Sequence, residues 1–420
     1  MDRSSISKLL VITAMVASFV PDVGAREGWV TTQTKAHPTD GAAIGLELRS
    51  GDAVDIAVSL QMRNKADLDV LTRKIASGER PALLTPEQFM SRHAPSAVQV
   101  QAVVDHLRLN GFVNVQVAEN RMLVTAQGSA GSVKKAFRTA LREVRMNGRS
   151  AFANDTDVMV PAHLAGVITA VHGLQNVHRF HTAIAPADVR IHAATGHNPT
   201  EFPKIYNANG LVKATKTTIG IISQGDLTQT LVDLNAFATG AGYGLPSTSV
   251  VVLGAASTDT SGLLEWNMDS QASLATAGGK VKQMIFYAAN SLTNANILAA
   301  VNKAVTANKA QVVNVSLGEC ETGAQSSGLT ASMDAVLQVA VAQGQTFSVS
   351  TGDSGSYECG GKTLNRQSYP AVSPYVIAVG GTTLKTTAKG GWSDESVWKG
   401  AGGGPSVTEA APAWQLTSGV

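Results

Sequence analysis

Residues 311–350 read QVVNVSLGECETGAQSSGLTASMDAVLQVAVAQGQTFSVS, and this stretch decides the fold. Gln311 to Leu317 and Thr346 to Ser350 are short runs dominated by apolar and β-branched residues, and Leu329 to Ala342 between them has the length and composition of a helix. Near-continuous apolar strands joined through a helix are the mark of a parallel sheet buried on both faces. The same rhythm extends outward. Strand-like Thr218 to Ser223, helix Leu227 to Thr239, strand Ser249 to Leu253, helix Leu263 to Thr276, strand Val281 to Ala288 and helix Ala295 to Asn308 precede it. Val376 to Val379 closes the series. This alternation predicts an α/β domain with helices over both faces of its sheet.

Upstream of that series, residues from about 173 to 200 form a polar stretch with His178, His181, Pro186 and Pro199, which reads as an exposed linker. Before it, strands at Ala53 to Met62, Val113 to Val117 and Met122 to Ala126 are interleaved with helices at Lys65 to Ser77, Val98 to Leu109 and Ser132 to Thr139. Thr85, Pro86 and Glu87 mark a further helix start. A small α+β sandwich is the expected architecture. At the N-terminus Arg3 and Lys8 precede an apolar run from Leu9 to Val20, then Pro21 and the small residues Gly24 and Ala25. That is the layout of a secretory signal peptide, and the run is too short for the roughly 20 residues that span a bilayer. The expected organisation is a signal peptide over 1–25, a first domain over 26–185 and a second over 186–420, in a chain secreted to an extracellular or periplasmic space.

With 420 residues, 44% hydrophobic and 15% charged, the chain is long enough for two cores. Residues 1–197 carry 21 Lys plus Arg against 17 Asp plus Glu, and residues 198–420 carry 12 against 14. Neither half has the basic stripe of a nucleic-acid binder, and no later segment could span a membrane. The two cysteines, Cys320 and Cys359, read as a disulfide in an oxidising compartment, with two buried thiols as the alternative; no metal-ligand spacing surrounds them.

None of the nine histidines lies beyond residue 197, so acid–base chemistry in the second domain falls to carboxylates, which generally work in acid. Glu265 and Asp269 stand four residues apart in a helix and project from one face. Two carboxyl groups so placed either share a proton as a titrating unit or are two solvated acids near the helix start. Asp353 lies between Gly352 and Gly355, just past the carboxyl end of a predicted parallel strand, where open α/β sheets place their sites. Protonated, it could donate to an oxyanion; otherwise it belongs to an ordinary Gly and Asp turn. The Gly352, Asp353, Ser354, Gly355 run imitates a trypsin-type nucleophile signature, but that chemistry needs a histidine base. Gly402, Gly403 and Gly404 follow no strand and open no helix, so they are not a phosphate loop.

The chain resembles the sedolisins, or serine-carboxyl peptidases, in particular their pseudomonalisin-like bacterial members. Leu84 to Phe89, Gly111, Phe112, and Ala136 with Phe137 resemble the family's activation propeptide. Gly196 to Pro203, Glu265 with Trp266 and Asp269 to Gln271, Asn314 to Gly318, Gly344 to Val349, Gly352 with Asp353, and Gly380 to Thr383 resemble its peptidase domain. The resemblance implies a subtilisin-like parallel sheet covered by helices, incomplete here, behind a small α+β ferredoxin-like prodomain. It implies Glu265 as base toward a serine, Asp269 as its supporting carboxyl, Asp353 as oxyanion donor, and Ser316, Leu317 and Gly318 as the strand that pairs with an extended substrate. Cys320 and Cys359 fall where pseudomonalisin-like members carry cysteines. The chain departs from the family at Glu319, where tryptophan is expected, at Ser354, and in having no Gly-Thr-Ser tripeptide to supply the nucleophile. No metal or cofactor is expected within these residues; calcium is implied for a full-length family member.

The expected function is that of a secreted, acid-acting serine-type endopeptidase zymogen. It would act on proteins or peptides, with its own propeptide as intramolecular inhibitor and no nucleic-acid or membrane partner after signal removal. The alternative is a non-catalytic truncated product or pseudoenzyme that retains peptide binding or propeptide inhibition.

Overall fold

The computed structural model describes residues 28–37, 43–146, 148–182, 196–361 and 365–417. The expected signal peptide lies outside them. The N-terminal unit is built on a four-stranded sheet of β1 (Ala53–Leu60), β2 (Val113–Val117), β3 (Leu123–Ser129) and β4 (Ile168–His172). Its spatial order is β2, β3, β1, β4 with every neighbouring pair antiparallel. With α1 (Lys65–Ala76), α2 (Pro86–Arg92) and α3 (Ala97–Leu109) between β1 and β2, and α4 (Ala130–Phe137) after β3, this is the split βαβ arrangement of ferredoxin-like folds. Local chemistry sets the helix starts. Thr85 and Ser96 cap α2 and α3 reciprocally with Gln88 and Gln99, each side chain bonding the other residue's backbone amide. A second, three-stranded sheet of Ala43–Glu47, Leu141–Met146 and Arg149–Asn154 flanks the unit.

The second unit holds a six-stranded, all-parallel sheet of β5 (Thr218–Gln224), β6 (Thr248–Leu253), β7 (Gln283–Ala289), β8 (Val312–Val315), β9 (Thr346–Ser350) and β10 (Ile377–Val379). Their order is β6, β7, β5, β8, β9, β10. Helices α5 (Thr228–Gly240), α6 (Leu263–Thr276), α7 (Asn294–Ala307) and α8 (Leu329–Gln343) connect the strands. The subtilisin-like α/β expectation therefore holds, and the helix and strand ends fall within a few residues of those read from the sequence. One shift bears on the site: β8 leaves the sheet after Val315, so that Ser316, Leu317 and Gly318 run on as a separate extended segment. At one edge of the sheet, all three residues of β10 are exposed.

Each unit has its own core: Val58, Val103, Val133 and Phe137 in the first, Phe286, Leu298, Val313 and Phe347 in the second. The second core also takes in Ala57, Leu68, Leu84, Phe89, Leu123 and Phe180 from the N-terminal half. The units dock through apolar surface stitched by polar contacts. Leu84 N donates to Ala342 O at 2.8 Å, Gln338 Nε2 to Asp69 Oδ1 at 2.7 Å and Lys35 N to Ser326 O at 2.8 Å, and Asn120 and Asn302 exchange amide hydrogen bonds.

The structure corrects the reading of residues 173–200 as an exposed linker. Leu174, Gln175, Val177 and Phe180 are buried, and Gln175 closes a local turn by bonding both the amide and the carbonyl of His178. Polar residues in this segment satisfy its own backbone while the apolar ones anchor it. Residues 183–195, including Pro186, lie outside the described part.

Candidate active site

Parallel strands end together. β8 and β9 are paired with Val315 opposite Val349, so Ser316 to Gly318 and the Gly352 to Gly355 turn leave the same edge of the sheet, where α/β folds collect their functional loops. The helix α6 brings in the carboxylates. Trp266, fully buried, donates its indole N–H to Gln224 O at the end of β5 at 2.9 Å and fixes the rotation of the helix. Glu265 and Asp269 then face inward, 4% and 8% exposed. The reading of this pair as solvated surface acids is thereby excluded.

Asp269 is held on one side only. Ser316 Oγ donates to Asp269 Oδ1 at 2.7 Å, and Asn314 Nδ2 donates to Ser316 Oγ at 3.1 Å. Burial pushes the Asp269 pKa up to about 6, and the Ser316 and Asn314 hydrogen bonds restrain the rise. Oδ1 acts as acceptor in this arrangement, so a proton held by Asp269 sits on Oδ2, a buried atom with no hydrogen-bond partner among the described residues.

Asp353 lies on the open rim of the site. Partial burial of its carboxyl raises its pKa, and the neighbouring His181 imidazole draws it back. Behind it stands Glu358, which the sequence reading missed. Glu358 is 9% exposed, accepts the Ser354 amide at 2.6 Å, and has its pKa raised by burial first and by Asp353 second. Gly352 makes room for it, since a Cβ there would come within 2.3 Å of the Glu358 carboxyl and the backbone φ of +92° is one that L side chains rarely adopt. Nothing in local sequence flags Glu358, because the turn folds back only in three dimensions.

Glu319 is a second carboxyl whose environment the sequence did not reveal. It is 1% exposed, accepts Asn294 Nδ2 at 3.0 Å, and burial lifts its pKa to about 8. The Cys320–Cys359 disulfide, across a sequence separation of 39, ties the segment that follows Gly318 to the loop that follows Asp353. Among the described residues no three His, Cys, Asp or Glu side chains group as a metal site requires, and no helix is long and apolar enough to cross a membrane.

The extended segment is occupied. His181 N donates to Gly318 O at 3.0 Å and Gly318 N to His181 O at 3.2 Å, an antiparallel bridge, while Phe180 N donates to Leu292 O at 3.0 Å. Chain from the N-terminal half thus pairs with Gly318 through one antiparallel bridge, the hydrogen-bond pattern by which an extended peptide can join a strand edge.

Residues 42–177 match the pro-kumamolisin activation domain and residues 267–414 match the subtilase family. Sedolisin of Pseudomonas sp. (strain 101) is 42% identical over 423 residues, covering 92% of this chain and 72% of the relative. Xanthomonalisin of Xanthomonas sp. (strain T-22) is 38% identical, covering 96% of this chain and 56% of the relative. A solved structure of Pseudomonas sedolisin, a serine-carboxyl proteinase complexed with two molecules of pseudo-iodotyrostatin, superposes with a TM-score of 0.52 at 44% identity, over 54% of this chain and 67% of that one. An activation domain followed by a subtilase-type α/β domain, at this level of identity, places the chain in the sedolisin family of serine-carboxyl peptidases.

Proposed function

We propose that this chain is the precursor of a secreted, acid-acting endopeptidase, with the N-terminal unit as its intramolecular inhibitor and the two units divided near residue 185. Glu265 serves as the base toward a serine, Asp269 supports it, and Asp353, when protonated, donates to the oxyanion of the tetrahedral intermediate. The observation that carries this reading is the antiparallel pairing of His181 with Gly318. In that register, an extended peptide has its residue two positions beyond the one at Gly318 opposite Ser316, whose hydroxyl is bonded to Asp269. A peptide bound there is delivered to the buried carboxylates, and the N-terminal unit's own chain blocks the approach.

Acid dependence follows from sign. The Glu265 and Asp269 pair works with one shared proton, which is lost as pH rises through the range of Asp269, about 6. Asp353 donates only while protonated, and the burial that raises its pKa extends that state upward from the usual carboxylate range. The family's calcium ligands and serine are expected outside these 420 residues, and no step is assigned to the metal. The test is peptide hydrolysis from about pH 2 to 8. The 420-residue chain should show none. A chain continuing through a Gly-Thr-Ser serine should be active only in acid, and should lose at least about a hundredfold with Glu265→Gln or Asp353→Asn. Activity of the 420-residue chain that survives Glu265→Gln would overturn the assignment.

A further inference from the structure

All nine histidines of the chain lie at or before residue 197, and two groups of them, His172 and the pair His37 and His178, contact the peptidase unit. One face of the N-terminal sheet packs on its own helices through Ile56, Val58, Leu60 and Val171. The opposite face, with Ala57, Ser59, Ala170 and His172, rests on the peptidase unit, where Ala57 joins the second core. His172 is 2% exposed. Its Nε2 lies 3.1 Å from Ser59 Oγ and 2.9 Å from Ser332 Oγ of α8, and its Nδ1 is buried with no partner among the described residues.

Among the described residues no acidic side chain bonds His172, whose partners are the two serine hydroxyls. β4 and β3 carry no titratable acid, Asp55 of β1 is exposed, Asp334 of α8 takes the Tyr369 hydroxyl at 2.9 Å, and Lys303 of α7 is paired with Glu119. Burial alone lowers its pKa from 6.5 to about 4. A second histidine group also touches the peptidase unit. His37 Nε2 is 2.8 Å from His178 Nδ1, and the His178 ring packs on Gly323 of the peptidase unit, where a Cβ would come within 3.2 Å. Burial and the partner ring lower His37 to about 4, and burial and Arg149 lower His178. The charges around this pair do not compensate it. Arg149 and Arg179 are cationic, Asp157 is paired with Lys35 at the surface, and Glu321 on the helix bearing Gly323 is taken by Gln367 N, Val407 N and the hydroxyls of Ser406 and Thr408.

We propose that docking of the N-terminal unit is acid-labile by construction, with His172 as the principal trigger and the His37 and His178 pair as the second: protonation of His172 releases the sheet from α8, and protonation of the pair releases its segment from the helix that bears Gly323. A ring whose pKa is lower docked than free takes up a proton on release. Docking is therefore at full strength above about pH 6.5 and weakens as pH falls toward about 4, by up to tenfold per pH unit for each ring, or about 300-fold for His172 alone.

The test needs no peptidase activity, so its failure is separable from failure of the catalytic assignment. Amide hydrogen exchange of the 420-residue chain between about pH 4.5 and 7.5, corrected for the intrinsic rate, reads docking at Lys35, Leu84, Phe180 and Gly318, whose amides bond across the seat. Protection there should fall by at least about tenfold between pH 6.5 and 5, while Val58 and Val124 inside the N-terminal core keep theirs. His172→Gln, whose amide can meet both hydroxyls but cannot titrate, should make the fall shallower, and His37→Gln should do so further. Unchanged protection in the wild type, or an undiminished fall in the double variant, would overturn the proposal. Should the variants not fold, ring titration by NMR in the wild type decides: a His172 ring that charges near pH 6.5 with the seat amides still protected would also overturn it.

Discussion

At the scale of single residues, the carboxyl groups set how this protein responds to pH. Glu319 is fully buried and its pKa is raised from 4.5 to about 8, so its stabilising state is the protonated one. That contribution is complete below about pH 4.5 and is lost as pH rises through 8. The thermal midpoint of the peptidase unit should fall between pH 5 and 8.5, and Glu319→Gln should remove part of the fall, on the order of 5 °C, by calorimetry. Ser316→Ala should act in the opposite sense on Asp269. It removes a donor to the charged form, so the Asp269 pKa should climb further above about 6, by roughly one unit, as read by carboxyl-carbon NMR. The spacing of Glu265 and Asp269 was legible because a helix repeats every 3.6 residues. Glu319 and Glu358 were not, since their burial depends on Asn294 and on a fold-back of the chain that no local pattern encodes.

Among the elements, the parallel strands were the easiest to read, because burial on both faces leaves an unbroken apolar run in the sequence. The segment 174–181 was the hardest. Leu174, Val177 and Phe180 fit neither a period of 2 nor 3.6 in so short a span, and the polar residues between them suggested exposure. Its burial bears on processing: Leu174, Gln175, Val177 and Phe180 hold the segment in the seat while docked, so acid maturation of a serine-bearing chain should leave a new N-terminus at or beyond residue 183, found by terminal sequencing. The disulfide can be weighed separately. Replacing both cysteines by serine should cost about 4 kcal/mol in the chain-entropy account, measured by urea unfolding.

Over the whole molecule, two units with separate cores share an apolar seat, and the sheet's far edge is uncovered. Ile377 and Val379 are 55% and 49% exposed on β10, which among the described residues has a neighbouring strand on one side only. Such an edge invites pairing with another copy. The 420-residue chain should therefore self-associate with rising concentration in light scattering, and Ile377→Lys should suppress this. The order of strands across both sheets was not legible, since strand neighbours far apart in sequence leave no mark in composition; helix and strand existence was. One feature reaches further than its local contacts. His172 is pinned against Ser332 and His181 against Gly318, so the eight residues between them act as a ruler laid from one unit to the other. Adding or removing one residue would put a different residue opposite Gly318 and so shift the register of the bridge. The length of this segment is therefore as much a part of its fit as the buried side chains of Leu174, Val177 and Phe180 that anchor it.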